Sequence, residues 1–216
     1  MKKATIVLDL DGTLLDTSYR HYQVFLDVTH QRQFKCDIAR KDFWQWKRAG
    51  ASTETILERY SENKDLTYKI NRDWTSKIEC NQYLDLDRLQ PGAKALLGKI
   101  ADLGELAWLL TARSRKDSLV WQLKRLELFA HFQEIICVDP FEAKNEKCAH
   151  LLSFASCVFI GDSESDFFAA KEAGIDFLAI ENGQRSGEFL KQRCHDIAIA
   201  KNLRDPKVER FLTNRD

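Results

Sequence analysis

No stretch of this 216-residue chain approaches the roughly 20 consecutive apolar residues that a membrane-spanning helix needs. The apolar run near the N-terminus is interrupted by Asp9 and Asp11 and so does not read as an export signal. Neither sign of charge is in excess. The 33 basic residues are matched by 33 acidic ones, which gives no general attraction for a nucleic-acid polymer or an anionic membrane surface. The six cysteines contain no CxxC and no close Cys/His cluster, so they read as free thiols of a reducing compartment and not as a zinc site. Internal repeats and low-complexity tracts are lacking, and none of the five histidines has a triad-like neighbour. What is present is 44% hydrophobic, enough for a sizeable core. A soluble, cytoplasmic protein is expected, with no membrane or nucleic-acid partner and an open oligomeric state.

Short apolar runs punctuate the chain at Ala4–Leu10, Leu106–Leu110, Ile135–Val138, Cys157–Ile160, Phe177–Ile180 and Ile197–Ala200. They are rich in Val, Ile and Phe, as buried strands are. Between them lie segments with helical spacing, such as Ala93, Leu96, Leu97, Ile100 and Leu103. Strands alternating with helices imply parallel crossovers and hence an α/β fold with a layered, Rossmann-like parallel sheet. Residues 17–90 break that rhythm, with helical patterns at 19–34 and in parts of 40–50, 53–60 and 66–80, and with Gly50 as their one glycine. The simplest organisation is a core of 1–16 and 91–216 with a small all-helical insertion at 17–90. Pro91-Gly92 marks the return to the core.

In open parallel sheets, ligands bind beyond the carboxyl ends of the strands. The residues that follow the apolar runs are therefore the ones to inspect. The first run delivers Asp9, Asp11, Gly12 and Thr13; the second, Thr111 and Arg113; the third, Asp139 and then Lys144; the fourth, Asp162, Ser163 and Asp166. Asp9, Asp11 and Asp162 at neighbouring strand ends would repel one another unless a cation sat between them. An oxygen-only set of few protein ligands suits Mg²⁺. An aspartate can attack phosphorus and carry the phosphoryl group. Asp11 lies two residues beyond Asp9, where a turn at Gly12 would bring it to the site, and there it could serve as general acid and base. Thr111 and Lys144 could hold phosphoryl oxygens.

VLDLDGTLLD, LLTAR, a downstream lysine and FIGDSESD resemble, in order, the four motifs of the haloacid dehalogenase-like hydrolase superfamily. The helical segment after the first motif resembles the cap of its phosphoglycolate phosphatase-like branch. The resemblance implies a phosphoric monoester hydrolase with Asp9 as nucleophile and Asp11 as acid and base. It implies Mg²⁺ held by Asp9, the Asp11 carbonyl and Asp162, with Asp166 supporting the site. Thr111 and a lysine, with Gly12 and Thr13 beside them, would bind the phosphoryl group of a small phosphorylated metabolite. The third motif departs from the KPxP of many relatives and reads AKNEKC; Lys144 precedes the helix and is favoured, with Lys147 its rival. The short spacing from Lys144 to Asp162 implies a truncated helix.

Within the insertion, FWQWKRAGAST places Lys47, Arg48 and Ser52 around a glycine turn, where a cationic loop could read a carboxylate or second phosphate. Phe43, Trp44 and Trp46 read as packing residues of the insertion itself. Arg113 could reach substrate or form a surface pair, Arg185 reads as solvated, and Ser163 as a capping residue. Other functions on the same residues are a sugar phosphomutase, a nucleotide monophosphatase, a receiver-like phosphorylated signalling module and an inactive binding protein.

Overall fold

The computed structural model describes residues 5–213, so Ala4, the first residue of the first expected strand, lies outside the described residues. The chain starts with β1 (Thr5–Leu8) and the two-residue β2 (Leu15–Asp16). Five helices follow: α1 (Ser18–Gln31), α2 (Arg40–Arg48), α3 (Thr53–Glu58), α4 (Lys64–Lys77) and α5 (Asn81–Leu84). After β3 (Arg88–Leu89) the alternation expected of the core begins, with α6 (Ala93–Asp102), β4 (Leu106–Ala112), α7 (Lys116–Arg125), β5 (Glu134–Val138) and α8 (Ala143–Leu151). It continues through β6 (Cys157–Gly161), α9 (Glu164–Ala173), β7 (Asp176–Ile180), α10 (Gly187–Arg193), β8 (Ala198–Ala200) and α11 (Pro206–Thr213).

Six strands form one parallel sheet in the order β5-β4-β1-β6-β7-β8. The order runs outward from β1 in one direction and restarts at β6 in the other. The crevice for a ligand therefore opens between the ends of β1 and β6. The alternation along β1 explains the two covered faces. Ile6 and Leu8 face the side of α6, α7 and α11, while Val7 faces α8, α9 and α10. All four residues of β1 are buried, as a central strand covered on both sides requires.

The inserted helices bury a third apolar cluster of their own, with Val24, Phe25, Val28, Phe43, Ile56, Leu57 and Ile70 inside it. Phe43 stacks at 4.7 Å from Phe25 and 5.6 Å from Tyr22, ring centre to ring centre. The chain leaves and re-enters the sheet region through the antiparallel pair of β2 and β3, Leu15 opposite Leu89 and Asp16 opposite Arg88. Among the described residues, no helix is long and apolar enough to cross a membrane. Because Phe43 is fully buried in the insertion's cluster, Phe43→Ala should cost about 3–5 kcal/mol. Urea unfolding of the two proteins measures this, and a loss under about 1 kcal/mol would remove Phe43 from that core.

Candidate active site

Asp9 follows β1 and Asp162 follows β6, so the two carboxylates stand on either side of the crevice where the strand order reverses. Asp9 N–H donates to the Ile160 carbonyl at 2.9 Å, which extends the sheet pairing by one residue. The chain then turns sharply, and the Leu10 carbonyl accepts from both Leu14 and Leu15. Gly12 sits in this turn at φ +91°, in the left-handed region, and a Cβ there would meet Asp162 Oδ2 at 2.1 Å. Glycine is needed on both counts. The turn brings Asp11 back to the same cavity as Asp9.

That cavity has a volume of about 160 Å³ and is lined by Asp9, Asp11, Thr111, Lys147, Asp162 and Asp166, with Gln184 at its edge. Carboxylate oxygens of Asp9, Asp162 and Asp166 all lie within 4.8 Å of one another. Burial, with Asp166 and Asp11 nearby and in spite of Lys147, pushes Asp9 up to about 7. Burial, followed by the charges of Asp9 and Asp166, pushes Asp162 well above the usual carboxylate range. Asp166 is committed to its surroundings. Its Oδ1 accepts from Lys147 at 2.5 Å, while its Oδ2 accepts from the Ser163 hydroxyl at 2.7 Å in the capping box that starts α9.

The lysine of the site is Lys147, which corrects the expectation of Lys144. Lys147 Nζ donates to Asp9 Oδ1 at 2.8 Å and is buried, its pKa raised by Asp166 and Asp9 against the opposing effect of burial. Lys144 lies on the exterior, paired with Glu172 at 2.7 Å. The physical reason is helical phase. With α8 starting at Ala143, position 147 lies one turn beyond 144 and about 60° round the axis, which carries it from the exterior to the side of Asp9 and Asp166. One faces α9 and solvent, the other the sheet. Thr111 stays in the site; its hydroxyl borders the cavity and has no hydrogen-bond partner among the described residues. Thr13 does not join it as a phosphoryl contact, because its buried hydroxyl donates to Asp162 Oδ1 at 3.2 Å. Gly12 likewise acts by the space it leaves for Asp162.

Asp11 has surroundings of a different kind. Arg20 Nη2 and Arg113 Nη2 each donate to its Oδ1 at 2.7 Å, and Arg113 Nε donates to Oδ2. Burial raises the Asp11 carboxyl, but the two guanidinium groups outweigh it and hold the carboxyl well below the usual range. Arg113 is therefore a buried partner of Asp11 and not a surface residue. Arg20 carried no motif signal, since it is one polar residue on an otherwise ordinary amphipathic helix.

In the insertion, Lys47 is half-buried near the core, 3.3 Å from the Thr53 hydroxyl and 5.1 Å above the Trp74 ring. Burial and the neighbouring Arg185 push it down to about 8. It has no carboxylate partner among the described residues. Arg48 is spent on the core, donating to the Glu181 carbonyl, and Ser52 is the N-cap of α3, accepting from Thr55 N–H at 2.9 Å. Ser52 does not stand free as the loop reading required, whereas Arg48 keeps a buried Nε without a partner. Arg185 is ion-paired with Glu164 at 2.8 Å and not solvated. His21, passed over as scattered, is buried between Trp44 and Trp74 with an unpartnered Nδ1. Glu79 also had no sequence signal; it accepts from the Ser114 and Arg115 N–H groups at 3.0 and 2.8 Å and fastens the insertion to the start of α7.

Residues 6–180 match the family model of the haloacid dehalogenase-like hydrolases. The chain belongs to that family. It is 25% identical over 197 residues to a phosphoglycolate phosphatase of Mesorhizobium japonicum, covering 85% of each chain. It is also 25% identical over 214 residues to a β-phosphoglucomutase of Bacillus subtilis, covering 90% of this chain and 91% of that one. Among solved structures, a haloacid dehalogenase-like hydrolase of Streptococcus pneumoniae has the same fold, at a TM-score of 0.70 and 21% identity, over 97% of this chain and 98% of that one.

In this haloacid dehalogenase-like hydrolase the acidic cluster fits a divalent cation. The donor set is oxygen only, it is buried, and two of its members are pushed toward protonation when no cation offsets their charges. Asp9 and Asp162 are the principal ligands available, and Asp166, bound to Lys147 and Ser163, supports them.

The raised carboxyls set a pH dependence. A raised folded-state pKa contributes stability that is complete below the unfolded value near 3.8 and is lost as pH rises through about 7. A cation that takes up the two charges removes that loss. Thermal midpoints in chelator and in excess magnesium should therefore separate increasingly from about pH 5 to about pH 8. A gap that does not change with pH would rule out the acidic cluster as its source.

Proposed function

We propose that the protein is a Mg²⁺-dependent phosphatase of the cytoplasm that hydrolyses a small phosphomonoester through an aspartyl-phosphate on Asp9, with residues 17–90 acting as a cap. The observation that carries this reading is the state of Asp9. Lys147 occupies its Oδ1, while no hydrogen bond among the described residues reaches Oδ2, and the residue lines a cavity of about 160 Å³. One oxygen is anchored and the other is left to react. A site of this volume accommodates a phosphoryl group with a short leaving group.

Asp9 Oδ2 attacks phosphorus, the bond from phosphorus to the alcohol oxygen breaks, and the departing oxygen takes a proton from Asp11, which the two arginines otherwise keep ionised and which has to gain that proton as the phosphate dianion enters beside it. Water then attacks the phosphoryl group, giving up a proton to Asp11, and Asp9 is regenerated with release of phosphate. The Thr111 hydroxyl and Lys147 are placed to hold the phosphoryl oxygens as charge develops. Mg²⁺, held by Asp9, the Asp11 carbonyl and Asp162, would supply neutralising charge for a phosphate dianion that must approach an anionic nucleophile. Lys47 is the cap residue we assign to a second anionic group on the substrate, because its half-buried charge has no carboxylate partner among the described residues.

Phosphate release from a panel of phosphomonoesters tests this. Asp9→Asn should abolish it in the presence of Mg²⁺, and Lys147→Met should lower kcat by roughly 10²–10³-fold. Lys144→Ala should stay within about twofold of the parent, since its exposed pair contributes little. Equal activity of the Asp9→Asn protein would overturn the mechanism. Separately, Lys47→Gln should raise KM by about tenfold or more for phosphoesters carrying a carboxylate and should barely move it for neutral ones. A uniform change across both groups would dismiss Lys47 as a selective contact.

A further inference from the structure

Four buried side chains and the half-buried carboxylate of Asp11, the acid–base residue, form a ring. Starting from Asp11, Arg113 binds both carboxylate oxygens and passes Nη2 on to Gln122 Oε1 at 3.0 Å. Gln122 Nε2 donates to Asp87 Oδ2 at 2.7 Å, and Asp87 Oδ1 lies 3.2 Å from Arg20 Nε, an ion pair in which neither atom makes a hydrogen bond. Arg20 Nη2 returns to Asp11 Oδ1 at 2.7 Å. Arg20, Asp87, Arg113 and Gln122 are all at or below 4% exposed. Two carboxylates and two guanidinium groups make the ring neutral in sum.

A carboxylate offers about four lone-pair positions. Three are filled here, two on Oδ1 and one on Oδ2. We propose that this ring is the positioning element of the acid–base step: Arg20 and Arg113 fix the Asp11 carboxyl so that the remaining position on Oδ2 is the one that carries the proton to the leaving oxygen and takes one back from the attacking water, and Asp87 with Gln122 hold the two arginines. The proposal rests on the acid–base role assigned to Asp11 above. The ring does more than neutralise charge, because a buried ionic group of this sort contributes little net stability once desolvation is counted. Its members also come from separate places. Arg20 lies on α1 and Asp87 between α5 and β3, the two passages between sheet and insertion, while Arg113 follows β4 and Gln122 lies on α7. Arg113 of the core holds both Asp11 oxygens, and the seated insertion adds the third contact through Arg20.

The test uses two esters of the full-length protein with Mg²⁺: p-nitrophenyl phosphate, whose leaving group departs without a proton, and the best alkyl phosphate found in the panel. Arg113→Gln should lower kcat for the alkyl ester by roughly 100-fold with KM within about threefold, and should leave the single-turnover burst of p-nitrophenolate within about threefold. Arg113→Lys, which returns the charge but not the two-pronged contact, should recover only part of the loss. In an Asp11→Asn background, Arg113→Gln should add less than about twofold, because the arginine has nothing left to position. Gln122→Met, uncharged and similar in size, gives a second variant should Arg113→Gln fail to fold; its loss should be smaller and again confined to the alkyl ester. Equal losses on both esters, or additive losses in the Asp11→Asn background, would overturn the ring as a positioning element. An Asp11→Asn protein that hydrolyses the alkyl ester at the parental rate would overturn the acid–base reading itself and the ring proposal with it.

Discussion

Three carboxylates share a water-poor corner with one ammonium, and most of the architecture follows from that imbalance. Lys147 neutralises one charge through its contacts to Asp9 and Asp166, which leaves two negative charges at the meeting point of β1 and β6. Like charges at such separations in a low-dielectric site are costly, and either protonation or a divalent cation must resolve them. The sheet order creates the problem by bringing the ends of β1 and β6 together. Local features then support it. Gly12 and Gly183 leave room for the Asp162 carboxylate, and the capping box at Ser163 fixes Asp166. A site that stores unbalanced charge in this way is poor for stability and well suited to binding a cation together with a phosphate.

The sheet strands and the two aspartate motifs were legible because each carries a local signal: a buried β-branched run, then carboxylates at its end. The single helical surprise of the core shows where such signals stop. Lys144 and Lys147 are three residues apart on α8, and which one faces the sheet depends on where the helix begins, a boundary set by the turn after β5. Spacing within the motif cannot decide that phase. Thr13 illustrates a related gap, since its place in the motif suggested the phosphoryl group but the fold turns its hydroxyl onto Asp162.

The partners of Asp11 were hidden for a different reason. Arg20 is nine residues away and Arg113 is 102 away, while Gln122 and Asp87 are separated by 35. Arg113 stood in the second motif with its partner undecided, while Arg20, Asp87 and Gln122 are single polar residues in unremarkable stretches, and only the tertiary fold reveals that all of them are buried. The same holds for Glu79, whose carboxylate satisfies two N–H groups ahead of α7 that would otherwise lack partners. Long-range polar closure of this sort has no periodicity to betray it.

Asp9 and Asp11 are the same residue type two positions apart, yet their environments push them in opposite directions. Asp9, buried among other carboxylates, is raised to about 7, whereas Asp11, buried against two arginines, is held low. This divergence is the reverse of the usual acid and nucleophile pair, so a cation at Asp9 and a phosphate dianion beside Asp11 have to offset both shifts before the two residues can take their roles. For Asp9 the relevant balance is with a cation and a phosphoryl group that come and go, so its charge must be able to respond to them. Asp11 has its charge balanced by protein groups that do not leave, so its geometry stays constant while the proton moves. The difference arises at Gly12, where the backbone leaves the strand: Asp9 stays at the strand end beside Lys147, while the turn carries Asp11 against Arg20 and Arg113.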